Sequence, residues 1–318
     1  MTASSPRPIL SVYTFYKFLA LATANIDSMV EKIESFGLEN DLEGLIIFGP
    51  EGINATISGS KHGLDKFMKD IQILLCLPTI DIKESRSDFA PFKRFKIKVR
   101  DEIVSLGKPD ILPGAKNNHL SPTEWNEALK EEDILVLDTR NWYETKIGKF
   151  ANAVDPKLNE FNEFPEYLKS VQVSKDKKVL IYCTGGIRCE KAIIEMQARG
   201  FENVFQLDGG ILKYIEEFPN QKFEGECFVF DHRVAVDQNL KPSQNFKMCP
   251  HCGQPSANKI ACRKCDHDAW ICERCMPEEN LQTCSKNCEH HYRRNPSVKG
   301  RKQLQGHQYE VIQKRSRS

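Results

Sequence analysis

Net charge is almost absent from this chain. Its 45 lysines and arginines face 44 aspartates and glutamates, a formal charge of +1, so no global field draws it to nucleic acid. Long hydrophobic runs are missing too. No stretch of about 18 uninterrupted apolar residues occurs, which excludes a transmembrane helix. Ile9 to Ala24 is fairly apolar, but Lys17 interrupts it and only Arg7 precedes it as a charge. It reads as a first strand running into a helix rather than as a signal-peptide core. A secreted disulfide framework is also lacking. Eight of the twelve cysteines fall between Cys249 and Cys288 as four close pairs, which is metal-site usage in a reducing compartment. A cytoplasmic location is expected. A length of 318 residues implies two or three domains.

What is present begins with alternating strand and helix signals over residues 1–106. Leu10 to Tyr16 predicts a strand, and Ile26 to Phe36 has helical spacing at Met29, Ile33 and Phe36. Leu45 to Phe48 and Asn54 to Gly59 read as a hairpin. Leu64 to Leu75 is a second helix, and Phe95 to Val99 alternates strictly as a final strand. The order βαββαβ predicts a ferredoxin-like α+β domain. On the last strand Lys93, Arg94, Lys96, Lys98 and Arg100 alternate with Phe92, Phe95, Ile97 and Val99. Basic residues beside aromatics suit single-stranded RNA; lysines that protect an edge strand give the same pattern.

Gly107 to Asn118, with Pro109, Pro113 and Gly114, reads as a linker into a second domain ending near residue 224. Ser121, Pro122 and Glu124 make a helix start. Ile134 to Leu137, Val179 to Tyr182 and Val204 to Leu207 are near-continuous apolar strands. They imply a parallel sheet covered on both faces, with its reactive site at the C-terminal strand ends. Cys183-Thr184-Gly185-Gly186-Ile187-Arg188 lies at such an end, before a helix spanning Glu190 to Arg199. Free N–H groups at a helix start favour a thiolate. Gly185 and Gly186 let the backbone come close, and Arg188 adds donors for an anion. A Cys-x5-Arg loop fits a phosphate; this tighter Cys-x4-Arg loop suits a smaller group on sulfur, such as a persulfide. Cys189 either faces the loop and resolves an oxidised Cys183 as a disulfide, or is a small residue in the first turn. Asp138 pairs with Arg140 or with a neighbouring loop donor. Cys76 and Cys227 read as buried apolar groups, and Glu190 as a first-turn carboxylate favoured by the macrodipole.

Residues 225–292 hold Cys249-x2-Cys252, Cys262-x2-Cys265, Cys272-x2-Cys275 and Cys284-x3-Cys288. Two structural Zn2+ sites are expected, with iron–sulfur binding as the rival. Sequential and interleaved pairings of the cysteine pairs are both compatible with the spacing. His251, His267, His290 and His291 are available as substitutes for a thiolate. The segment is too polar to bury a core, so metal supplies folding energy. Residues 293–318 form a basic tail suited to phosphate.

The loop Cys183 to Arg188 resembles a rhodanese active site, and Leu137-Asp138-Thr139-Arg140 and Asp208-Gly209-Gly210 are similar to flanking rhodanese segments. The wider set, with Phe48 to Asn54, Cys183 to Lys191 and Gly225 to Asp231, resembles the bacterial tRNA uridine(34) hydroxylase family over about residues 10–237. The cysteine-rich region resembles a C-terminal extension found in part of that family. The resemblance implies oxygen-dependent 5-hydroxylation of the wobble uridine, with O2 as co-substrate and Cys183 as the essential residue. It also implies an N-terminal domain that helps hold the anticodon stem-loop, and an electron donor that the sequence does not specify. No flavin, haem or nicotinamide motif is visible, in keeping with that family. A sulfurtransferase using thiosulfate or a persulfide is the rival enzyme class. A zinc-dependent RNA- or protein-binding module with an inactive rhodanese fold is the non-enzymatic alternative.

Overall fold

The computed structural model describes residues 9–114 and 118–296. The chain divides into two bodies at Pro242 and Ser243. The first begins with β1 (Leu10–Phe18), α1 (Ile26–Glu39), β2 (Glu43–Gly49), β3 (Gly52–Gly59), α2 (Lys61–Leu74), β4 (Ile82–Ser87) and β5 (Phe95–Val99). Their sheet runs β4-β1-β3-β2-β5. The first four strands are antiparallel neighbours, and β5 joins β2 in parallel. The strand closing the βαββαβ unit is therefore β4, not Phe95–Val99. β4 reads Ile-Lys-Glu-Ser-Arg-Ser, an edge strand with one apolar residue and no alternation to reveal it. Phe95–Val99 is a fifth strand on the opposite edge.

Period-two alternation sorts this sheet into two faces. Tyr13, Phe15, Ile46, Phe48, Ile53, Ala55 and Ile57 pack under the two helices with Ile33, Leu64, Phe67 and Ile71. The intervening residues, Thr14, Tyr16, Leu45, Ile47, Asn54 and Thr56, look away from the helices and line a cavity. Cys76 is exposed, at positive φ of 52° just past the end of α2. Burial expected from its apolar character gives way there to helix termination.

A four-stranded parallel sheet follows, in the order β6 (His119–Leu120), β10 (Val204–Leu207), β9 (Lys178–Tyr182), β7 (Ile134–Asp138). Between these strands lie α3 (Pro122–Ala128), α4 (Trp142–Thr145), β8 (Gly148–Phe150), α5 (Phe164–Ser170) and α6 (Ile187–Ala198). After them come α7 (Gly210–Glu217), β11 (Phe223–Gly225), β12 (Cys227–Phe228) and β13 (Ala235–Val236). α3 starts with the expected capping box, Ser121 and Glu124 satisfying each other's backbone N–H groups. One sheet face packs Leu180 and Tyr182 against α3 and α7, with Cys227, Val229 and Val236. The other packs Val179, Ile181 and Cys183 against α5 and α6, with Leu106. Cys227 is buried as expected.

Lys191, buried on α6, reaches Glu51 at 2.6 Å and Glu102 at 2.7 Å. It thus ties the parallel-sheet domain to the β2–β3 turn and to the segment after β5. Such a cation leaves water only with compensating charge.

The second body has two hairpins, β14 (Lys247–Met248) with β15 (Pro255–Ser256) and β16 (Lys259–Ala261) with β17 (Asp268–Trp270), followed by α8 (Lys286–Arg294). Its apolar cluster consists of Ala269 and Ile271 among cysteines. Most of the basic tail lies outside the described residues.

Candidate active site

β9 delivers Cys183 to the C-terminal edge of the parallel sheet, and the chain turns at once into α6. The turn depends on Gly186, held at φ 98°, where a Cβ would lie 2.9 Å from the Tyr16 hydroxyl. Gly210, at φ 67°, is equally constrained. A Cβ there would meet the Cys183 carbonyl oxygen at 2.6 Å. That closeness lets Ile211 and Leu212 donate their N–H groups to the carbonyls of Cys183 and Thr184.

The Cys183 sulfur accepts from the Gly186 N–H at 3.1 Å. Burial pushes its thiol up, but the Cys189 thiol, the Arg188 guanidinium and the backbone N–H groups of Arg188 and Cys189 outweigh burial and hold it down to about 6. Cys189 moves the other way, raised by burial and by its neighbour Cys183. It also contacts the Thr139 hydroxyl at 3.7 Å, and Thr139 is anchored to the Tyr182 carbonyl. Thr139 thus sets the Cys189 sulfur beside the carbonyl of the residue before Cys183. Glu190 carries more than a dipole role: it accepts from Tyr16 at 2.8 Å and Gln206 at 3.2 Å, and pairs with His119 at 3.0 Å.

Arg188 departs from expectation. Its guanidinium forks onto Glu144, with Nη1–Oε1 at 2.6 Å and Nη2–Oε2 at 2.8 Å. The fork expected for an anion is occupied by a buried carboxylate of this chain. Glu144 is the third residue of α4, capped reciprocally by Asn141. Its low pKa reflects Arg188 overcoming burial. A first-turn Glu after Asn is a common helix signal, so nothing in the sequence marked Glu144 for the site. Arg140 donates to Asp138 from Nε at 2.9 Å, from Nη2 at 2.7 Å and from its backbone N–H at 3.0 Å, both side chains fully buried. Asp231 and Arg233 repeat this arrangement at 2.9 and 2.6 Å, and Arg233 also reaches Ser85 on β4.

Cys183, Thr184, Gly185, Ile187 and Arg188 open onto a cavity of about 580 Å³. Its opposite wall is the helix-free face of the first sheet; Tyr143, Val229, Phe230 and Asp231 line it as well. Phe230 is 57% exposed, with Arg188 5.9 Å from its ring centre. Lys98 and Arg100 reach this cavity, whereas Lys93, Arg94 and Lys96 do not line it. Sequence reasoning missed Lys83, whose ammonium lies 4.7 Å from the Tyr16 ring centre. Burial lowers its pKa, while Asp81 first, then Asp208, Cys183 and Glu190, act in the opposite direction.

In the second body Cys249, Cys252, Cys272 and Cys275 converge, as do Cys262, Cys265, Cys284 and Cys288, with the sulfurs of each set within 4.8 Å of one another. The pairing is interleaved: first with third, second with fourth. The sulfurs in contact lie from 3.3 Å apart, for Cys252 and Cys272, to 3.7 Å, for Cys265 and Cys288. Sulfurs about 2.3 Å from one tetrahedral ion are about 3.8 Å apart, so the donor sets fit such an ion. No histidine enters either set. His251 is engaged by the Thr283 carbonyl, and His267 points at the Cys265 sulfur.

Three family models match the chain: a UPF0176 acylphosphatase-like domain over residues 10–103, a rhodanese-like domain over 121–217 and a rhodanese C-terminal region over 224–289. A protein of Bdellovibrio bacteriovorus named tRNA uridine(34) hydroxylase is 50% identical over 92% of this chain and 84% of its own length. One of the same name from Wolbachia pipientis is 41% identical over 78% of this chain and 90% of its own. The chain belongs to the tRNA uridine(34) hydroxylase family. Among solved structures, a rhodanese-like domain protein of Staphylococcus aureus is 26% identical over 31% of this chain and 91% of its own, with a TM-score of 0.27. In this member of the family no helix among the described residues is long and apolar enough to cross a membrane.

Proposed function

We propose that this chain hydroxylates uridine 34 of tRNA at C5, taking one oxygen atom from O2, with Cys183 as the reacting residue. The relatives' shared name supports the reaction. The observation that carries the assignment to this site is the shape of the cavity. A lowered-pKa thiol sits at the end of a 580 Å³ space that falls within the range of about 300–1,000 Å³ typical of ligand pockets. A single-stranded loop base can be splayed out into such a space and stacked on an aromatic ring. Phe230 and Tyr143 offer that surface, and Lys98 and Arg100 lie where the flanking phosphates would pass. Lys93, Arg94 and Lys96 extend the same basic strand outward for the rest of the anticodon stem-loop.

In this reading the Gly186 N–H and Arg188 keep Cys183 ionised, and Glu144 holds Arg188 in place. Zn2+ would occupy both cysteine sets, where it organises the second body around eight thiolates. The cytoplasm is the compartment that tRNA and reduced thiols imply.

The sulfurtransferase alternative fits less well. Binding thiosulfate calls for free donors around a small anion, and Arg188 is already committed to Glu144. Purified protein supplied with an anticodon stem-loop and 18O2 separates the two. Heavy oxygen in 5-hydroxyuridine supports the hydroxylase, whereas unmodified RNA with thiosulfate:cyanide turnover refutes it.

A further inference from the structure

Hydroxylation by O2 places one oxygen atom in the product and reduces the other to water, which requires two electrons from elsewhere. The site contains a pair of groups with that capacity. Cys183 and Cys189 are both fully buried in one packing cluster. The Cys189 thiol and its N–H both favour the ionised form of the Cys183 sulfur. The Gly186 N–H, within the turn between the two cysteines, reaches the Cys183 sulfur at 3.1 Å. The Cys189 N–H also meets the Gly186 carbonyl at 3.0 Å, so the turn between the cysteines is already closed. The Thr139 hydroxyl touches the Cys189 sulfur at 3.7 Å and donates at 3.0 Å to the carbonyl of Tyr182, the residue before Cys183, so it links the two cysteine segments.

We propose that Cys183 and Cys189 are the two-electron donor of the reaction and cycle between dithiol and disulfide. In the first step the O–O bond breaks. One atom goes to C5 of uridine, and the other goes to Cys183, whose thiol becomes a sulfenic acid. Uridine C–H, O2 and one thiol thus give the C–OH product and Cys–SOH. In the second step the Cys189 sulfur attacks the Cys183 sulfur, forming the S–S bond, and the sulfenic oxygen leaves as water with the Cys189 proton. An external dithiol then attacks Cys183, the member of the pair that lines the cavity, and restores both thiols by exchange. Cys189, which bonds to the reacting sulfur in the second step, is on this account a catalytic residue. The inference rests on the hydroxylase reading above and adds to it the source of the electrons.

Full-length protein, reduced and then freed of reductant without air, is mixed with an excess of anticodon stem-loop RNA and O2. The expected result is about one 5-hydroxyuridine per chain, matched one-to-one by a Cys183–Cys189 disulfide in the peptide map. Dithiothreitol then restarts turnover. Cys189→Ser leaves Cys183 as a sulfenic acid that dimedone traps, a label the wild type lacks. Product formed with both wild-type thiols still free overturns the proposal, as does turnover far beyond one equivalent without reductant. Absence of hydroxyuridine even in excess dithiothreitol sinks the hydroxylase reading, and this inference with it.

Discussion

Arg188, in the first turn after the Cys183 loop, and Glu144 form a two-pronged ion pair at 2.6 and 2.8 Å, with side chains 7% and 0% exposed. The pair converts a residue expected to grip a ligand into one that braces the loop and supplies a fixed positive charge to the Cys183 sulfur. Thr184 joins it through its hydroxyl, 3.3 Å from Glu144.

Removing either partner strands the other charge out of water. Glu144→Ala should cost about 3–5 kcal/mol of stability, as breaking buried pairs does. Urea unfolding followed by tryptophan fluorescence measures it. Arg188→Lys keeps the charge but loses the fork, so it should lower hydroxylation more than stability.

Cys183 ionises near pH 6 in the folded protein, against 9.0 for an unperturbed thiol. Its thiolate is present above that value and lost as pH falls below it. Iodoacetamide labelling of Cys183 should therefore rise through about pH 6 and level off by neutrality. Cys189→Ala removes a donor to the sulfur, so the midpoint should move up. An unchanged midpoint would show that Cys189 does not contact Cys183.

The interleaved cysteine sets can be tested by counting metal. Cys249→Ser with Cys272→Ser disables the first set alone, leaving about half of the wild-type zinc. Sequential pairing would have placed those residues in different sites, and both ions would be lost. Stripping the metal with a chelator should unfold the second body, because Ala269 and Ile271 are its only fully apolar buried side chains among the described residues.

Charge reversal on the cavity-lining basic residues should weaken RNA binding. Lys98→Glu and Arg100→Glu should each make the log–log salt dependence of anticodon stem-loop binding shallower by about 0.7 for every phosphate left without its cation. Lys93→Glu, outside the cavity, should have a smaller effect on turnover than on binding. Equal salt slopes for all three variants and the wild type would remove this strand from the RNA surface.

Much of this molecule was legible because its chemistry is local. Cys183 to Arg188 announces a strand, a glycine turn and a helix within one short segment, and Ser121, Pro122 and Glu124 carry their cap in sequence. The cysteine spacing fixed the ligands but not their partners, since Cys249-x2-Cys252 has the same local form in either pairing. Residues that work across the fold left no trace. Glu144 is an ordinary first-turn acid until Arg188 arrives from 44 residues away. Tyr16 looks like any outward strand residue until it meets Glu190, 174 positions on. β4 hid because its mostly polar sequence, Ile-Lys-Glu-Ser-Arg-Ser, shows no apolar alternation. Lys83 hid with it.

The central claim is that Cys183 hydroxylates uridine 34. The most direct measurement is mass spectrometry of position 34 in tRNA from a strain lacking this gene, complemented with wild type or with Cys183→Ser. Restoration of 5-hydroxyuridine by wild type alone is the predicted result. Equal restoration by Cys183→Ser, or 5-hydroxyuridine that persists undiminished in the deletion strain, would contradict it.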